Sequence, residues 1–316
     1  LRVSGEELKV FSQAIARAVE EVERKVIGKR KEVELILASL LSNGHVLLEG
    51  VPGVAKTLMA KTIAGVLGLD FKRVQATPDM LPSDIIGVVV YNPKTAEFTF
   101  RKGPIFTNIL LVDEINRAPP KTQSALLEAM QERQVTIEGV TYRLPEPFLV
   151  LATMNPVEVE GTFPLSEAQV DRFLAKVVIG YPTVSETVAI LGRYYSIMSD
   201  PVTPQLSREE VVKLVELVKR VYVDDNIKKY IALLVQATRE HPMVKLGASP
   251  RGAIATYLLS KAIALMRGRD YVTPDDIKYV AHSTLSHRLI LKSEARIAGV
   301  GVEEVVDEVL EKVEVP

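Results

Sequence analysis

Apolar positions along the chain follow two different periods. Between residues 6 and 24, Leu8, Phe11, Ile15, Ala18, Val19 and Val22 recur at the spacing of one helical face. A second helix is predicted over 30–42, stopped by Asn43-Gly44. "HVLLEG" (45–50) is instead a short unbroken apolar run, the pattern of a strand buried on both faces. Helical "KTLMAKTIAGVLG" (56–68) and strand-like "FKRVQ" (71–75) follow it. Two strand-like runs around an Asn-Pro turn predict a hairpin over 88–100, and "QVTIEGVTYRL" (134–144) predicts a second around Glu138-Gly139. Between them lie a buried strand with an acidic tip, "NILLVDE" (108–114), and a proline-started helix over 119–133 with Ala125, Leu126, Ala129 and Met130 as its apolar face. "FLVLATMN" (148–155) and "AKVVIG" (175–180) supply two more strands.

Strands alternating with helices make a parallel α/β sheet covered on both faces. After Tyr181-Pro182 the pattern changes to helices over about 184–195, 207–220, 224–240, 250–267 and 274–286 and a C-terminal piece, with almost no strand signal. The expected units are an N-terminal helix (1–27), an α/β core (28–182) and a helical domain (183–316), with no low-complexity linker between them.

Composition narrows the function. The chain has 316 residues, a net charge of −1 and 47% hydrophobic residues, so no global field draws it to nucleic acid or an acidic membrane. The basic "GKRK" (28–31) is followed at once by Glu32 and Glu34 and reads as a solvated helix start. The absence of cysteine excludes disulfides and thiolate metal sites, and the four histidines fall into no ligand spacing, which leaves them as packing or surface residues. No apolar run reaches the ~18 residues of a membrane helix. The N-terminal segment is amphipathic and acidic, unlike a signal peptide, and its start at Leu1 suggests trimming. A cytoplasmic protein is expected, and the lack of Cys and Trp hints at a thermophile.

"EGVPGVAKT" (49–57) nearly spells the phosphate loop G-x-x-x-x-G-K-[ST], with Ala55 in place of the second glycine. Its position between a strand and a helix is the context such a loop needs. The donors are backbone N–H groups of Gly50, Val51, Pro52-Gly53, Val54, Ala55, Lys56, Thr57 and Leu58 (Pro52 itself has none), so an alanine still supplies its amide. The methyl costs about 1–2 kcal/mol only if position 55 is left-handed. Lys56 would reach β- and γ-phosphates and Thr57 would bind Mg²⁺. "ILLVDE" sets Asp113 and Glu114 at the carboxyl edge of the sheet, where ligands bind. There Asp113 would hold the metal with Thr57, and Glu114 would polarise the attacking water.

"DEINRAPPKTQSALLEAMQE" (113–132), "GVPGVAKT" and "TPDMLPSDIIG" (77–87) together resemble the MoxR family of AAA+ ATPases, over residues 28 to about 290. The resemblance implies a P-loop NTPase (AAA+) core with β-hairpin insertions and an all-α lid, using ATP and Mg²⁺. Alanine before the lysine is usual in that family, which favours a working loop. Asn155 in "ATMNP" matches sensor 1, beside the attacking water. Arg172 in "EAQVDRF" matches the arginine finger that completes a neighbour's site, and Arg251 in "SPRG" matches sensor 2, a lid cation that meets the γ-phosphate. Arg117 is a helix-start charge or an intersubunit contact. The two hairpins match the insertions of the helix-2-insert group, which includes magnesium chelatase ATPase subunits; they brace the sheet edge or line a ring pore.

The function so implied is ATP hydrolysis at the subunit interfaces of a homo-oligomeric, hexameric ring. Its work would be remodelling or maturation of client proteins, or metal-cofactor insertion, with a von Willebrand factor A-domain partner. Two readings compete with it. A nucleic-acid motor of the same clade lacks support from the charge balance and would show in a salt-dependent gel shift. A non-hydrolysing scaffold would have no use for Glu114, Asn155 and Arg172, and steady-state ATPase activity separates it.

Overall fold

The apolar runs pair as expected in the computed structural model, which describes residues 5–155 and 161–316. Pro156, which follows Asn155, lies outside the described residues. Helices α1 (Gly5–Lys25) and α2 (Arg30–Leu41) come first. β1 (Val46–Glu49) enters the glycine loop and α3 (Lys56–Val66) leaves it. β2 (Phe71–Gln75) is followed by α4 (Pro82–Ile86) and a hairpin of β3 (Gly87–Asn92) with β4 (Glu97–Lys102). β5 (Ile109–Asp113), a 3₁₀ turn (Ile115–Arg117) and α5 (Pro120–Glu132) precede the second hairpin, β6 (Gln134–Ile137) with β7 (Val140–Arg143). β8 (Leu149–Met154), α6 (Glu167–Val170) and β9 (Ala175–Val178) complete the α/β part. Beyond it lie α7 (Val184–Gly192), α8 (Tyr194–Ser199), α9 (Arg208–Arg220), α10 (Asp225–Glu240), β10 (Val244–Leu246), α11 (Pro250–Met266) and α12 (Pro274–Leu285). A 3₁₀ turn (Ser286–Arg288), β11 (Ile290–Leu291), α13 (Ser293–Ile297) and α14 (Val302–Lys312) end the chain.

Five strands form one sheet in the order β2-β5-β8-β1-β9, every pair parallel. Alternate side chains sort to opposite faces. Ile109 and Leu111 of β5 pack toward α1, α2 and α3, while Leu110 and Val112 pack toward α5 and the second hairpin. Asp113 continues the series of Ile109 and Leu111, so its carboxylate shares a face with α3. From β1 the chain crosses to the β2 edge, and from β8 it crosses back over β1 to β9. The loop after β1 therefore sits at the point where strand order reverses, the ligand crevice of open α/β sheets.

One apolar layer joins the two halves. Leu48, Leu111 and Leu151 of the sheet, Ile15 and Val19 of α1, Ile36 of α2, and Leu259, Ile263, Ile277 and Val280 of the later helices belong to a single buried cluster. His45 is a packing residue, as expected. Its Nδ1 accepts the Val150 N–H at 2.9 Å and its Nε2 donates to Met130 O at 3.0 Å. Burial, aided by Arg133, lowers its pKa to about 3, so it stays neutral.

Three features escaped the periodicity. The helix predicted over 184–195 is two helices that meet at Arg193, and the buried Lys25 ammonium donates to the Ser196, Ile197 and Asp200 carbonyls at 3.1, 2.7 and 2.5 Å, satisfying the end of the second. β10 and β11 pair antiparallel where almost no strand was expected, being too short to carry a period. In α5, Leu127 is buried and Ala125 only half so. The second hairpin does turn at Glu138-Gly139, both at positive φ (48° and 77°) as a two-residue type I′ turn requires. Among the described residues no helix is long and apolar enough to cross a membrane.

Candidate nucleotide site

The loop leaves β1 against β9. A Cβ on Gly50 would lie 2.7 Å from the Ile179 carbonyl oxygen, so only glycine permits this approach. Val54 is buried and, with half-buried Val51 and Leu58, ties the loop to the core below, while Pro52 and Gly53 are exposed. Gly53 (φ 85°) and Ala55 (φ 63°, ψ 23°) are both left-handed, and α3 starts immediately after. The backbone thus takes the glycine conformation at position 55 although the residue carries a methyl.

That strain yields a prediction. Ala55→Gly is expected to stabilise the fold by about 1 kcal/mol, less the flexibility glycine adds to the unfolded chain. The exposed methyl leaves turnover within about twofold of the parent. Thermal melting with a steady-state assay checks both, and a lower melting temperature would mean the left-handed turn is unstrained.

The Lys56 ammonium folds over its own loop and donates to Gly50 O at 2.6 Å, with Val51 O at 3.5 Å. Burial pulls its pKa down, opposed by the nearby Asp113 and Glu114 carboxylates, so loop and strand tip share one field. Thr57 offers a half-buried hydroxyl in the first turn of α3.

Asp113 is buried with both oxygens engaged. Oδ2 accepts from Arg73 Nε at 2.6 Å, and Oδ1 accepts from Thr153 Oγ1 at 3.2 Å. Glu114 turns left-handed (φ 57°), which lifts its side chain off the strand line; its N–H donates to Thr153 Oγ1 at 2.8 Å and its carboxylate pairs with Arg117 Nη1 at 3.0 Å. Arg117 therefore holds Glu114 of its own chain. Asn155, buried, directly follows β8, the strand between β5 and β1, and the Gly50 N–H reaches the preceding Met154 carbonyl at 3.4 Å. Gly50 to Leu58, Asp113, Glu114 and Asn155 thus gather at the carboxyl edge of three adjacent strands.

Two partners here were missed from the sequence. Thr153 is the lone hydroxyl in "LVLATM" and links both carboxylate residues to β8. Arg73 stands on β2 two residues before Gln75, the register partner of Asp113. A hydroxyl inside an apolar strand was the available signal for the first; the second had none.

The donors fit Mg²⁺. A carboxylate and a hydroxyl are hard oxygen ligands, and Mg²⁺ is commonly held by one or two carboxylates with substrate phosphates. Asp113 and Thr57 are residues of these two types at the strand tip and at the start of α3.

Arg172 and Arg251 do not join this group. Arg172 lies in the turn after α6, and Ala175, three residues on, pairs with Val46 at the start of β1, whereas the loop leaves from the opposite end of that strand. A strand of four residues at about 3.3 Å each puts roughly 10 Å or more between them. The Arg172 side chain is exposed and makes no ion pair among the described residues. Arg251, in the first turn of α11, lines with Arg172 a cleft of about 290 Å³. It lies 3.7 Å from Asp171 Oδ2, and the same carboxylate accepts from Arg288 Nε at 2.8 Å and from the Ser249 hydroxyl at 3.0 Å. Burial lowers the Arg288 pKa to about 10, against the pull of Asp171. The cleft carries more positive than negative charge, and it is lined by Gly44 and His45, just before β1, not by residues of the loop that follows β1.

The profile of the "ATPase family associated with various cellular activities (AAA)" matches residues 45–175, and an AAA lid domain matches residues 236–309. Uncharacterized protein YeaC of Bacillus subtilis is 52% identical over 96% of this chain and 95% of its own length. Chaperone MoxR1 of Mycobacterium tuberculosis is 45% identical over 96% of this chain and 82% of its own. The crystal structure of an inferred ATPase from Cytophaga hutchinsonii superposes with a TM-score of 0.92 at 42% identity, covering 98% of this chain and 97% of that one.

Proposed function

We propose, for a chain that belongs to the MoxR family of AAA+ ATPases, that it hydrolyses ATP in a site completed by the neighbouring subunit of a ring. The division of cations between the two edges of the sheet carries this reading. Lys56 stands at the loop, and Arg172, exposed and unpaired among the described residues, stands at the opposite edge. In a head-to-tail ring the amino edge of one subunit faces the loop of the next. Arg251, which lines the same cleft as Arg172, then travels with it and meets the γ-phosphate of the neighbour.

Each residue has a role in this scheme. Backbone amides of the loop and the Lys56 ammonium, released from Gly50 O, bind the phosphates. Thr57 and Asp113 would hold Mg²⁺, which when bound would offset charge on the phosphates. Glu114, exchanging Arg117 for water, accepts the proton as the water oxygen bonds to the γ-phosphorus and the bond to the β–γ bridging oxygen breaks. Asn155 orients that water. Arg172 and Arg251 of the adjacent subunit stabilise the charge that spreads over the γ-oxygens.

The work delivered is chaperone-like: remodelling or maturation of client proteins, including metal-cofactor insertion, by a cytoplasmic hexamer acting with a von Willebrand factor A-domain partner. Residues 28–182 would be the motor core, 183–316 the lid and 1–27 a bracing helix. A relative named as a chaperone supports this. So does the first hairpin, where Tyr91 and Phe98 are exposed with ring centroids 5.1 Å apart, a surface suited to unfolded segments.

Lys56→Ala tests the site. Losing charge-assisted bonds to two phosphates is expected to weaken ATP binding by roughly 100-fold or more, measured with a fluorescent ATP analogue. Binding as tight as the parent's would move the nucleotide elsewhere.

A further inference from the structure

We propose that Arg73 is an internal counter-ion that occupies Asp113 until metal arrives and so sets the Mg²⁺ requirement of the site. The inference rests on the reading that Thr57 and Asp113 hold the metal. Asp113 is 7% exposed, and an ionised carboxylate so buried needs a partner. Thr153 satisfies one oxygen. The other accepts the Arg73 Nε at 2.6 Å, a shorter contact than that from Thr153 at 3.2 Å. The Mg²⁺-binding acid is therefore not an open ligand but one half of an ion pair.

The two halves of that pair differ in freedom. The Asp113 side chain is 10% exposed and fixed at the end of a central strand, whereas that of Arg73 is 50% exposed on β2, an edge strand. Arg73 can withdraw into water while Asp113 cannot follow. A resting place is at hand, since Arg73 Nη2 already lies 3.3 Å from the Gln75 side-chain oxygen on the same strand. A dication and a guanidinium compete for one carboxylate oxygen, and like charges repel at such range. Metal binding thus requires the guanidinium to leave, and apparent affinity falls by the fraction of molecules in which it has left. The pair also keeps the pocket near neutrality when no nucleotide is present, so Mg²⁺ alone gains little by entering.

The test titrates Mg²⁺ against binding of a fluorescent ADP analogue, followed by anisotropy. If the paired form is about nine-tenths of the metal-free population, Arg73→Gln is expected to lower the Mg²⁺ concentration for half-maximal binding by roughly fivefold to tenfold. Arg73→Lys, which keeps the charge, should stay within about twofold of the parent. On an Asp113→Ala background the Arg73→Gln shift should vanish. A merely structural arginine would do the reverse, because an Asp113 left unoriented binds metal more weakly. An unchanged or higher Mg²⁺ requirement in Arg73→Gln overturns the proposal. So does a loss of analogue binding in EDTA larger than the metal effect, which would make Arg73 a phosphate ligand. If parental binding proves independent of Mg²⁺, the failure lies in the metal reading itself.

Discussion

Arg172→Ala is expected to bind ATP almost as the parent does and to lose turnover by roughly 10³-fold, the range of an arginine finger. The asymmetry follows from where the side chain sits. Arg172 is beyond the reach of its own loop, so its removal leaves that loop's lysine, amides and carboxylates untouched. What would be lost, on the proposed reading, is a charge that acts when the γ-phosphate begins to depart. Lys56→Ala should be equally inactive for the opposite reason, with an empty loop and an intact Arg172. Mixing the two dead proteins under conditions of subunit exchange should restore part of the activity, because a Lys56→Ala subunit can offer its arginine to a neighbour with a working loop. Confirmed exchange without recovery would count against a shared site. Full turnover by Arg172→Ala alone would make it a surface charge; Arg251, in the same cleft, would be the next to test.

Glu114→Gln is expected to retain nucleotide and Mg²⁺ affinity and to lose hydrolysis by about 10²- to 10⁴-fold, as removal of a general base does. The glutamine oxygen can still accept from Arg117 and the backbone N–H still meets Thr153, so the local frame should persist. Equilibrium binding and single-turnover hydrolysis separate the two effects. Loss of affinity in place of loss of rate would recast Glu114 as structural. Because the variant should stop with ATP bound, a pull-down from it in ATP is also the direct route to client and partner identity.

The parts legible in the sequence are those whose signal is local. Four- to six-residue apolar runs such as "ILLVD" announced the sheet, and "GVPGVAKT" and the acidic tip at Asp113-Glu114 were visible because strand, loop and helix are contiguous. What stayed hidden depends on register between distant segments. Thr153 meets Asp113 and Glu114 only because β8 inserts between β1 and β5. Arg73 reaches Asp113 only because β2 pairs with β5 in a register that faces Gln75 to Asp113. The position of Arg251 is set by how α11 docks beside Asp171, which no spacing along the chain encodes. Ala55 lies between these cases: the residue was plain, but its left-handed φ belongs to the folded loop alone.

The apolar layer that runs from the sheet through α1 and α2 into α11 and α12 has a mechanical meaning. A hinge between the two halves would have to split a continuous interior, exposing side chains such as Leu48, Ile36 and Ile263 to water at about 25 cal/mol for each Å² uncovered. Bending inside one subunit is therefore the stiff direction. In the ring proposed above, the soft joints would be the seams between copies, where the cleft of Arg172 and Arg251 would meet a phosphate that comes and goes. Each protomer would behave as a rigid gear tooth, and chemical energy would appear as rotation of whole teeth against one another.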